Sequence, residues 1–295
     1  MKENMKLNKK IKNFLKKSKL IINLYQIITA IKLLIFDVCS SLLSRSLKVK
    51  MTPYGFKLLG SNLVHHVDMQ NGVFEPDETT VFKDIFKRID IFVDVGANIG
   101  FYACMARAAG LHVIAIEPQQ KNLKYLLANI KENEWSDVEI FPVGLASQYG
   151  IATLFGGSST GASLISNWAG ASKMFHQIIP LSTLDILLGG RFLGKKIFIK
   201  IDVEGAEYSA LLGGIKLMDM LPKPTWVVEI CLNEYHPEGI NPNFEEIFKL
   251  FWRHGYEART ADKKDRIILQ KDIELWIKNG KCDSETINYK FTPIE

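Results

Sequence analysis

Residues Ile91–Gly100 have the sequence IFVDVGANIG and carry the strongest structural signal in the chain. The first five residues are apolar except for Asp94, which is typical of a buried strand in a parallel sheet. The glycines and Asn98 that follow predict a turn, and Phe101–Ala109 has the composition of a helix. Glycine allows the backbone to approach a ligand closely, and the start of a helix presents unpaired N–H groups. The stretch therefore predicts the first half of a nucleotide-binding βαβ unit.

The spacing of the turn indicates which ligand it holds. A second apolar strand, Leu111–Ile116, leads to Glu117, at the position where such folds bind ribose hydroxyls. The dinucleotide fingerprint G-x-G-x-x-G would need glycines where the chain has Asn98 and Phe101. The pattern D-x-G-x-N-x-G is instead typical of the S-adenosylmethionine (SAM) site in Rossmann-like methyltransferases. The turn therefore favours SAM over NAD, with an unliganded tight turn as the structural alternative.

Strands and helices alternate along the rest of the chain. The predicted parallel strands cover residues 91–95, 111–116, 138–143, 197–201 and 225–230, and an antiparallel hairpin follows at 255–260 and 266–270. This order predicts an α/β, Rossmann-like class I methyltransferase fold with a seven-stranded, mostly parallel sheet and an antiparallel terminal hairpin. Ligands of open α/β sheets bind at the carboxyl ends of the strands. The residues expected to line that edge are Asp94, Glu117, Gly144, Asp202, Glu204 and Glu229.

The N-terminal region differs in composition from the rest of the chain. Met1–Lys19 contains eight lysines and one glutamate, and Leu20–Leu43 is strongly apolar. The longest uncharged run, Leu20–Ile31, is shorter than the roughly 20 residues that span a bilayer. Residues 1–44 are therefore predicted to form a basic arm and an amphipathic helix that precede a methyltransferase domain at 45–295. The helix at 20–43 could pack on the domain, join two subunits of a homo-oligomer, contact a membrane surface, or insert as an anchor.

Charge and cysteine usage limit the partners and the compartment. The net charge of the chain is +5, and the N-terminal arm accounts for all of it, so the remainder is slightly acidic. A nucleic-acid enzyme is expected to carry Lys and Arg across its substrate face, so no nucleic-acid partner is predicted. The four cysteines lack CxxC spacing, which argues against a structural zinc site. A cytoplasmic location is predicted, and membrane association is left open.

The chain resembles the FkbM-type SAM-dependent methyltransferases over roughly residues 72–258. The segments that carry the resemblance are VFEPDETT, FVDVGANIGFYACMA, IAIEPQQKNLKYLLANI, GGSSTGASL, LSTLDILL and IKIDVEGAEYSALLGG. The resemblance implies SAM as methyl donor and a hydroxyl of a saccharide, glycolipid or related metabolite as acceptor. It places five residues at the cofactor: Asp94, Gly96, Asn98, Gly100 and Glu117. Gly144, after the third strand, and Glu75, which could reach the charged amino group of the cofactor or remain a solvated turn residue, complete the predicted cofactor set.

Three residues are candidates for catalysis. A sugar hydroxyl is a poor nucleophile while it is protonated, so a base or a metal ion must assist proton loss. Asp202 and Glu204 follow the fourth strand, and one could orient the acceptor while the other takes the proton. Alternatively, Asp202 caps the next helix and Glu204 pairs with a lysine. His236, in EYHPEG, is a third candidate base or a surface turn residue, and a metal held by Asp202 and Glu229 is a minor alternative.

Two other functions are compatible with the same topology. One is an NAD-dependent oxidoreductase, against which Asn98 and Phe101 argue. The other is a methyltransferase-like scaffold that has lost catalysis, although its cofactor-site residues are intact. We expect the acceptor to be chosen by the insertion at 156–180 together with residues 202–207.

Overall fold

A computed structural model describes residues 47–61, 63–156, 161–170 and 173–294. The predicted basic arm and the apolar helix at 20–43 lie outside these residues, so both stay predictions. Across the described ranges, no helix is long and apolar enough to cross a membrane.

The core of the fold is a mixed sheet with helices on both faces. The strands are β1 (Lys48–Met51), β2 (Lys57–Gly60), β3 (Ile91–Val95), β4 (His112–Ile116), β5 (Glu139–Phe141), β6 (Gly144–Leu145), β7 (Gly150–Phe155), β8 (His176–Ser182), β9 (Ile197–Ile201), β10 (Thr225–Glu229), β11 (Tyr256–Thr260), β12 (Ile267–Ile268) and β13 (Asn288–Pro293). The helices are α1 (Val64–Asn71), α2 (Pro76–Phe86), α3 (Phe101–Ala108), α4 (Gln120–Glu132), α5 (Leu184–Leu188), α6 (Glu207–Leu212), α7 (Ile215–Met218), α8 (Phe244–Arg253) and α9 (Gln270–Asn279).

The main sheet has eight strands in the order β12-β11-β13-β10-β9-β3-β4-β5. Strands β10, β9, β3, β4 and β5 are parallel, which confirms the five predicted parallel strands. The predicted hairpin also forms, between β11 and β12. The overall fold is therefore the α/β type that the sequence predicts.

The sequence predicts a main sheet of seven strands that ends in the hairpin. This count is wrong. Strand β13 lies between β10 and β11 and is antiparallel to both. Its sequence, NYKFTP, looks polar, but Tyr289 and Phe291 alternate into the core and are fully buried. Phe291 stacks on Phe251 with ring centroids 3.7 Å apart. Tertiary packing on helix α8 and pairing on both sides therefore convert an unremarkable C-terminal segment into a central strand.

Several smaller elements complete the fold. Strand β1 pairs with β2, and helix α1 begins at Val64. The N-cap residue of α2 is Glu75, and Asp77 lies in its first turn. Two glycines, 213 and 214, separate α6 from α7.

The register between β3 and β9 places a charged pair inside the sheet. Side chains of the two strands alternate between apolar clusters on opposite faces. Phe92 and Phe198 lie opposite each other and belong to one cluster. Two residues further along, Asp94 lies opposite Lys200 on that same face. Both charged residues are buried, near the carboxyl ends of their strands.

A second sheet lies in the segment between β5 and β9. It has three strands in the order β6-β8-β7, and β7 and β8 form an antiparallel pair. Residues 161–170, between β7 and β8, include the buried Trp168. Leu154 of β7 and four residues of the predicted 156–180 insertion, namely Gly161, Ala162, Leu164 and Ile179, line one wall of the site described next.

Candidate active site

A cleft of about 640 Å³ opens at the carboxyl ends of β3, β4 and β9. Six of the ten predicted site residues line it: Gly96, Asn98, Glu117, Gly144, Asp202 and Glu204. The other four, Glu75, Asp94, Gly100 and His236, do not line this cleft. The structure therefore brings the predicted donor-side and acceptor-side residues to a single edge of the sheet.

The glycine turn after β3 is fixed by backbone contacts. The N–H groups of Gly96 and Ala97 donate to the Ile116 carbonyl at 2.9 and 3.1 Å. Gly96 has a φ of 77°, and a Cβ at this position would lie 1.8 Å from the carbonyl oxygen of Asp202. Only glycine fits there, because any side chain would separate the turn from the loop after β9. Gly100, with a φ of 88°, is the N-cap residue of helix α3, and a Cβ at this position would lie 2.4 Å from Leu126 Cδ1.

Glu117 holds the next loop to the glycine turn. Its carboxylate accepts the backbone N–H groups of Asn98 and Gln119, each at 2.8 Å. Burial raises the pKa of Glu117 to about 7, even though these two donors oppose that shift. Each carboxylate oxygen has a second lone pair, so Glu117 can still accept bonds from a ligand.

Two amide oxygens in the cleft lack hydrogen-bond partners. They are Oδ1 of Asn98 and Oδ1 of Asn122, both buried and both belonging to residues that line the cleft. Buried acceptors are nearly always paired, so this pattern indicates donors on a bound molecule. SAM carries hydroxyl, amino and ammonium donors, and the residues present therefore fit it. Asn122 was not among the sequence predictions, and its signal was a polar residue on the buried side of helix α4.

Lys200 is the centre of a buried charge network. Its Nζ lies 3.1 Å from Asp202 Oδ2, 3.7 Å from Asp94 Oδ1 and 3.4 Å from the Gly96 carbonyl. Burial lowers the pKa of Lys200, but the charges of Asp202, Asp94 and Glu75 outweigh burial and raise it. The pKa of Asp94 is raised by burial, and neither of its oxygens has a hydrogen-bond partner. Sequence reasoning missed Lys200, although a lone lysine in the apolar strand IFIKI was the available signal.

Glu204 is held by the insertion. Trp168 donates its indole N–H to Glu204 Oε2 at 2.7 Å, and Ser163 donates its hydroxyl to the Glu204 carbonyl at 2.5 Å. A Cβ on Gly205 would lie 2.5 Å from the Trp168 ring, so the ring lies directly on the loop. Burial raises the pKa of Glu204, and the charge of Asp202 raises it further.

The alternative roles predicted for the two acidic residues are wrong. Asp202 pairs with Lys200 and does not cap helix α6, whose N-cap residue is Ala206. Glu204 accepts from Trp168, and no ion pair joins it to a lysine in the described residues. Glu207 organises this loop instead, because its Oε1 accepts the N–H groups of Gly205 and Val203 at 2.9 and 3.3 Å.

The remaining predicted site residues lie outside the cleft. His236 makes an edge-to-face contact with Trp168, with ring centroids 5.9 Å apart, and its Nδ1 accepts the Glu238 N–H. Glu75 accepts the Tyr102 hydroxyl at 2.6 Å, and burial raises the pKa of Glu75 to about 7. In the described ranges, no group of three or more His, Cys, Asp and Glu residues is arranged to hold a metal ion.

Comparison with known proteins places this site in a family. The search of solved structures finds a SAM-dependent methyltransferase from Agrobacterium tumefaciens, with 10% identity over 84% of this chain and 70% of that chain and a TM-score of 0.42. It also finds an rRNA methylase from Streptococcus thermophilus, with 12% identity over 72% of this chain and 93% of that chain and a TM-score of 0.37. A precorrin-6y C5,15-methyltransferase from Geobacter metallireducens matches with 11% identity over 69% of this chain and 78% of that chain and a TM-score of 0.36. No curated protein sequence matches the chain. The methyltransferase FkbM domain profile matches residues 94–258, from the buried aspartate of β3 to strand β11, and more than half of the chain. The chain therefore belongs to the FkbM methyltransferase family.

Proposed function

We propose that this SAM-dependent methyltransferase is an O-methyltransferase, with a hydroxyl of a saccharide, glycolipid or related small metabolite as acceptor. The observation that carries the proposal is the position of Asp202 and Glu204, which line the same cleft as the glycine turn. A neutral hydroxyl must lose a proton as it reacts, and a positioned carboxylate can accept that proton.

The donor side of the cleft has the groups that SAM needs. When bound, SAM supplies a methyl group activated by a positively charged sulfur. Glu117 would accept ribose hydroxyls, and the amide oxygens of Asn98 and Asn122 would accept further donors from the cofactor. Glu117, Asp202 and Glu204 line the cleft, and no lysine or arginine of the described residues does, so the cleft complements a positively charged ligand.

Glu204 is the better candidate for the base. Trp168 holds its Oε2, which leaves Oε1 able to accept the hydroxyl proton of the acceptor. Because burial raises the pKa of Glu204, its carboxylate is a stronger base than an ordinary glutamate. Asp202 is held by Lys200 and would orient the acceptor hydroxyl by accepting a hydrogen bond. His236 lies behind Trp168 and would act only on the position of that ring.

The experiment is methyl transfer from isotopically labelled SAM into separated cell fractions. Full-length protein is incubated with glycan, glycolipid, RNA and protein fractions, and the products are analysed by mass spectrometry. We expect label in the glycan or glycolipid fraction, as a methyl ether on oxygen. Label confined to RNA or protein, or methyl groups found on nitrogen or carbon, would contradict the proposal.

A matched variant separates catalysis from binding in the same assay. Glu204→Gln keeps the size of the side chain and an oxygen that can accept the Trp168 N–H, but it cannot take a proton. We expect this variant to bind S-adenosylhomocysteine like the parent protein and to transfer little label.

A further inference from the structure

The second, three-stranded sheet β6-β8-β7 has two chemically distinct faces. In the antiparallel pair β7–β8, Thr153 lies opposite Ile178, and Ile151 lies opposite Pro180. Residues that face each other across a ladder share one side of the sheet, and their sequence neighbours point to the other side. Ile151, Thr153 and Ile178 therefore share one side, while Leu154 and Ile179 point to the opposite side.

The side that carries Leu154 and Ile179 is buried and lines the cleft. The other side is apolar and open to solvent. Ile151 is 76% exposed and Ile178 is 66% exposed, and two nearby residues, Tyr149 and Met174, are 79% and 72% exposed. We call Tyr149, Ile151, Met174 and Ile178 the outer face. A cluster of large exposed apolar side chains on a folded protein indicates an interaction surface.

The charges around the outer face are positive. Between Glu139 and Asp185 the chain has no aspartate or glutamate, and Lys173 lies within that segment. Lys121 and Lys124 line a surface depression together with Met174 and His176. Basic residues thus border the outer face, and the segment between Glu139 and Asp185 contributes no carboxylate to it.

We propose that the outer face docks on the surface of an anionic lipid bilayer. The apolar side chains would enter the boundary between headgroups and acyl chains, and the lysines would contact anionic headgroups. A second copy of the chain fits less well, because a two-fold interface places the same lysines of both copies close together. The residues of this surface lie in the described part of the chain and do not include the apolar segment at residues 20–43.

The first test is binding of the full-length chain to vesicles. Phosphatidylcholine vesicles that contain phosphatidylglycerol are compared with pure phosphatidylcholine vesicles in a cosedimentation assay. The double variant Ile151→Thr/Ile178→Thr keeps the β-branched side chains that strands favour and removes apolar area. We expect it to bind anionic vesicles at least about tenfold more weakly than the parent chain. The matched control is Ile267→Thr/Ile294→Thr, which changes two other exposed isoleucines, one of them in β12 at the far end of the main sheet. We expect parental binding from this control.

A local readout keeps the test independent of the N-terminal arm. Hydrogen exchange is measured by mass spectrometry with and without anionic vesicles. We expect slower exchange in peptides that cover residues 149–155 and 174–182, and no change in the peptide that covers helix α9. Unchanged exchange in the first two peptides, or parental vesicle binding by the Ile151→Thr/Ile178→Thr variant, would overturn the proposal. Slower exchange at higher protein concentration without vesicles would also overturn it, because a second copy would then cover the face.

Discussion

The glycine turn at 96–100 and the acidic loop at 202–207 are neighbours at one edge of the sheet, but different contacts hold them. The turn is fixed mainly by backbone groups: two of its N–H groups donate to the Ile116 carbonyl, and Gly96 contacts the Asp202 carbonyl. The acidic loop is fixed mainly by side chains: Lys200 and Glu207 are close to it in sequence, and Trp168 comes from a distant segment. The proposed donor side of the cleft thus depends on backbone geometry, and the proposed acceptor side depends on side-chain contacts. Substitutions should affect the two sides in different ways.

The largest effect is expected where the two regions touch. Gly96→Ala places a Cβ 1.8 Å from the Asp202 carbonyl and requires a left-handed residue at a φ of 77°. We expect loss of cofactor binding and a decrease of about 3 kcal/mol or more in the free energy of unfolding. Titration calorimetry with S-adenosylhomocysteine and chemical denaturation measure these two quantities.

The control for this substitution is Gly110→Ala. Gly110 has a φ of 88°, but nothing lies within 4 Å of its Cβ position. We expect the free energy of unfolding to decrease by about 1 kcal/mol from backbone strain alone, and cofactor binding to stay unchanged. Equal effects of the two substitutions would show that the contact between turn and loop has no importance.

On the proposed acceptor side, removal of the proposed base, Glu204, should lower the rate of methyl transfer and leave cofactor binding intact. We expect Glu204→Gln to lower kcat by about 10²–10⁴-fold, because the carboxylate can no longer accept a proton. In the parent enzyme, kcat should decrease as the pH falls through the pKa of Glu204, which lies above the usual range for glutamate. The pH profile of methyl transfer measures this. A loss of kcat in His236→Gln as large as that in Glu204→Gln would assign the base to His236 instead.

Lys200 joins the two regions, so its removal should destabilise both. Lys200→Met leaves Asp94 and Asp202 without their cationic partner. We expect the free energy of unfolding to decrease by about 3–5 kcal/mol at neutral pH. Without the lysine, the folded-state pKa of Asp94 rises further above its unfolded value. The loss should therefore be smaller at lower pH, where Asp94 binds a proton. Denaturation at several pH values measures the effect, and the exposed Lys195→Met is the control, expected within about 0.5 kcal/mol of the parent.

The smallest effect on stability is expected for two buried glutamates: Glu117, which binds the glycine turn, and Glu207, in the acidic loop. Burial raises the pKa of both to about 7. A carboxyl whose folded pKa exceeds its unfolded pKa stabilises the fold when protonated and loses that contribution as the pH rises through the folded pKa. When the pH falls from about 8 to about 6, the free energy of unfolding of the ligand-free protein should therefore increase by on the order of 1 kcal/mol per glutamate.

Cofactor affinity should change in the opposite direction over the same range. Ribose hydroxyls need an ionised Glu117 as acceptor, so the affinity should decrease below about pH 7. Calorimetry with S-adenosylhomocysteine measures this, and Glu117→Gln should remove the dependence. An affinity that is constant between about pH 8 and pH 6 would show that Glu117 does not contact the ligand as a carboxylate.

The glycine turn and the family of this chain could be predicted from the amino-acid sequence alone. The strand, the glycine turn and the following helix are contiguous, and the φ values of Gly96 and Gly100 are local properties of glycine. The five parallel strands could also be predicted, because a strand that is buried on both faces has a nearly continuous run of apolar residues.

The contacts around Asp202 and Glu204 and the place of β13 in the sheet follow from tertiary packing. The register of β3 with β9 places Lys200 opposite Asp94, and the chain between β7 and β8 brings Trp168 to Glu204. Strand β13 enters the sheet because Phe291 packs on Phe251. Each of these contacts joins residues far apart in sequence, so no local pattern of residue types specifies them. Their geometry arises when the sheet and the insertion pack together.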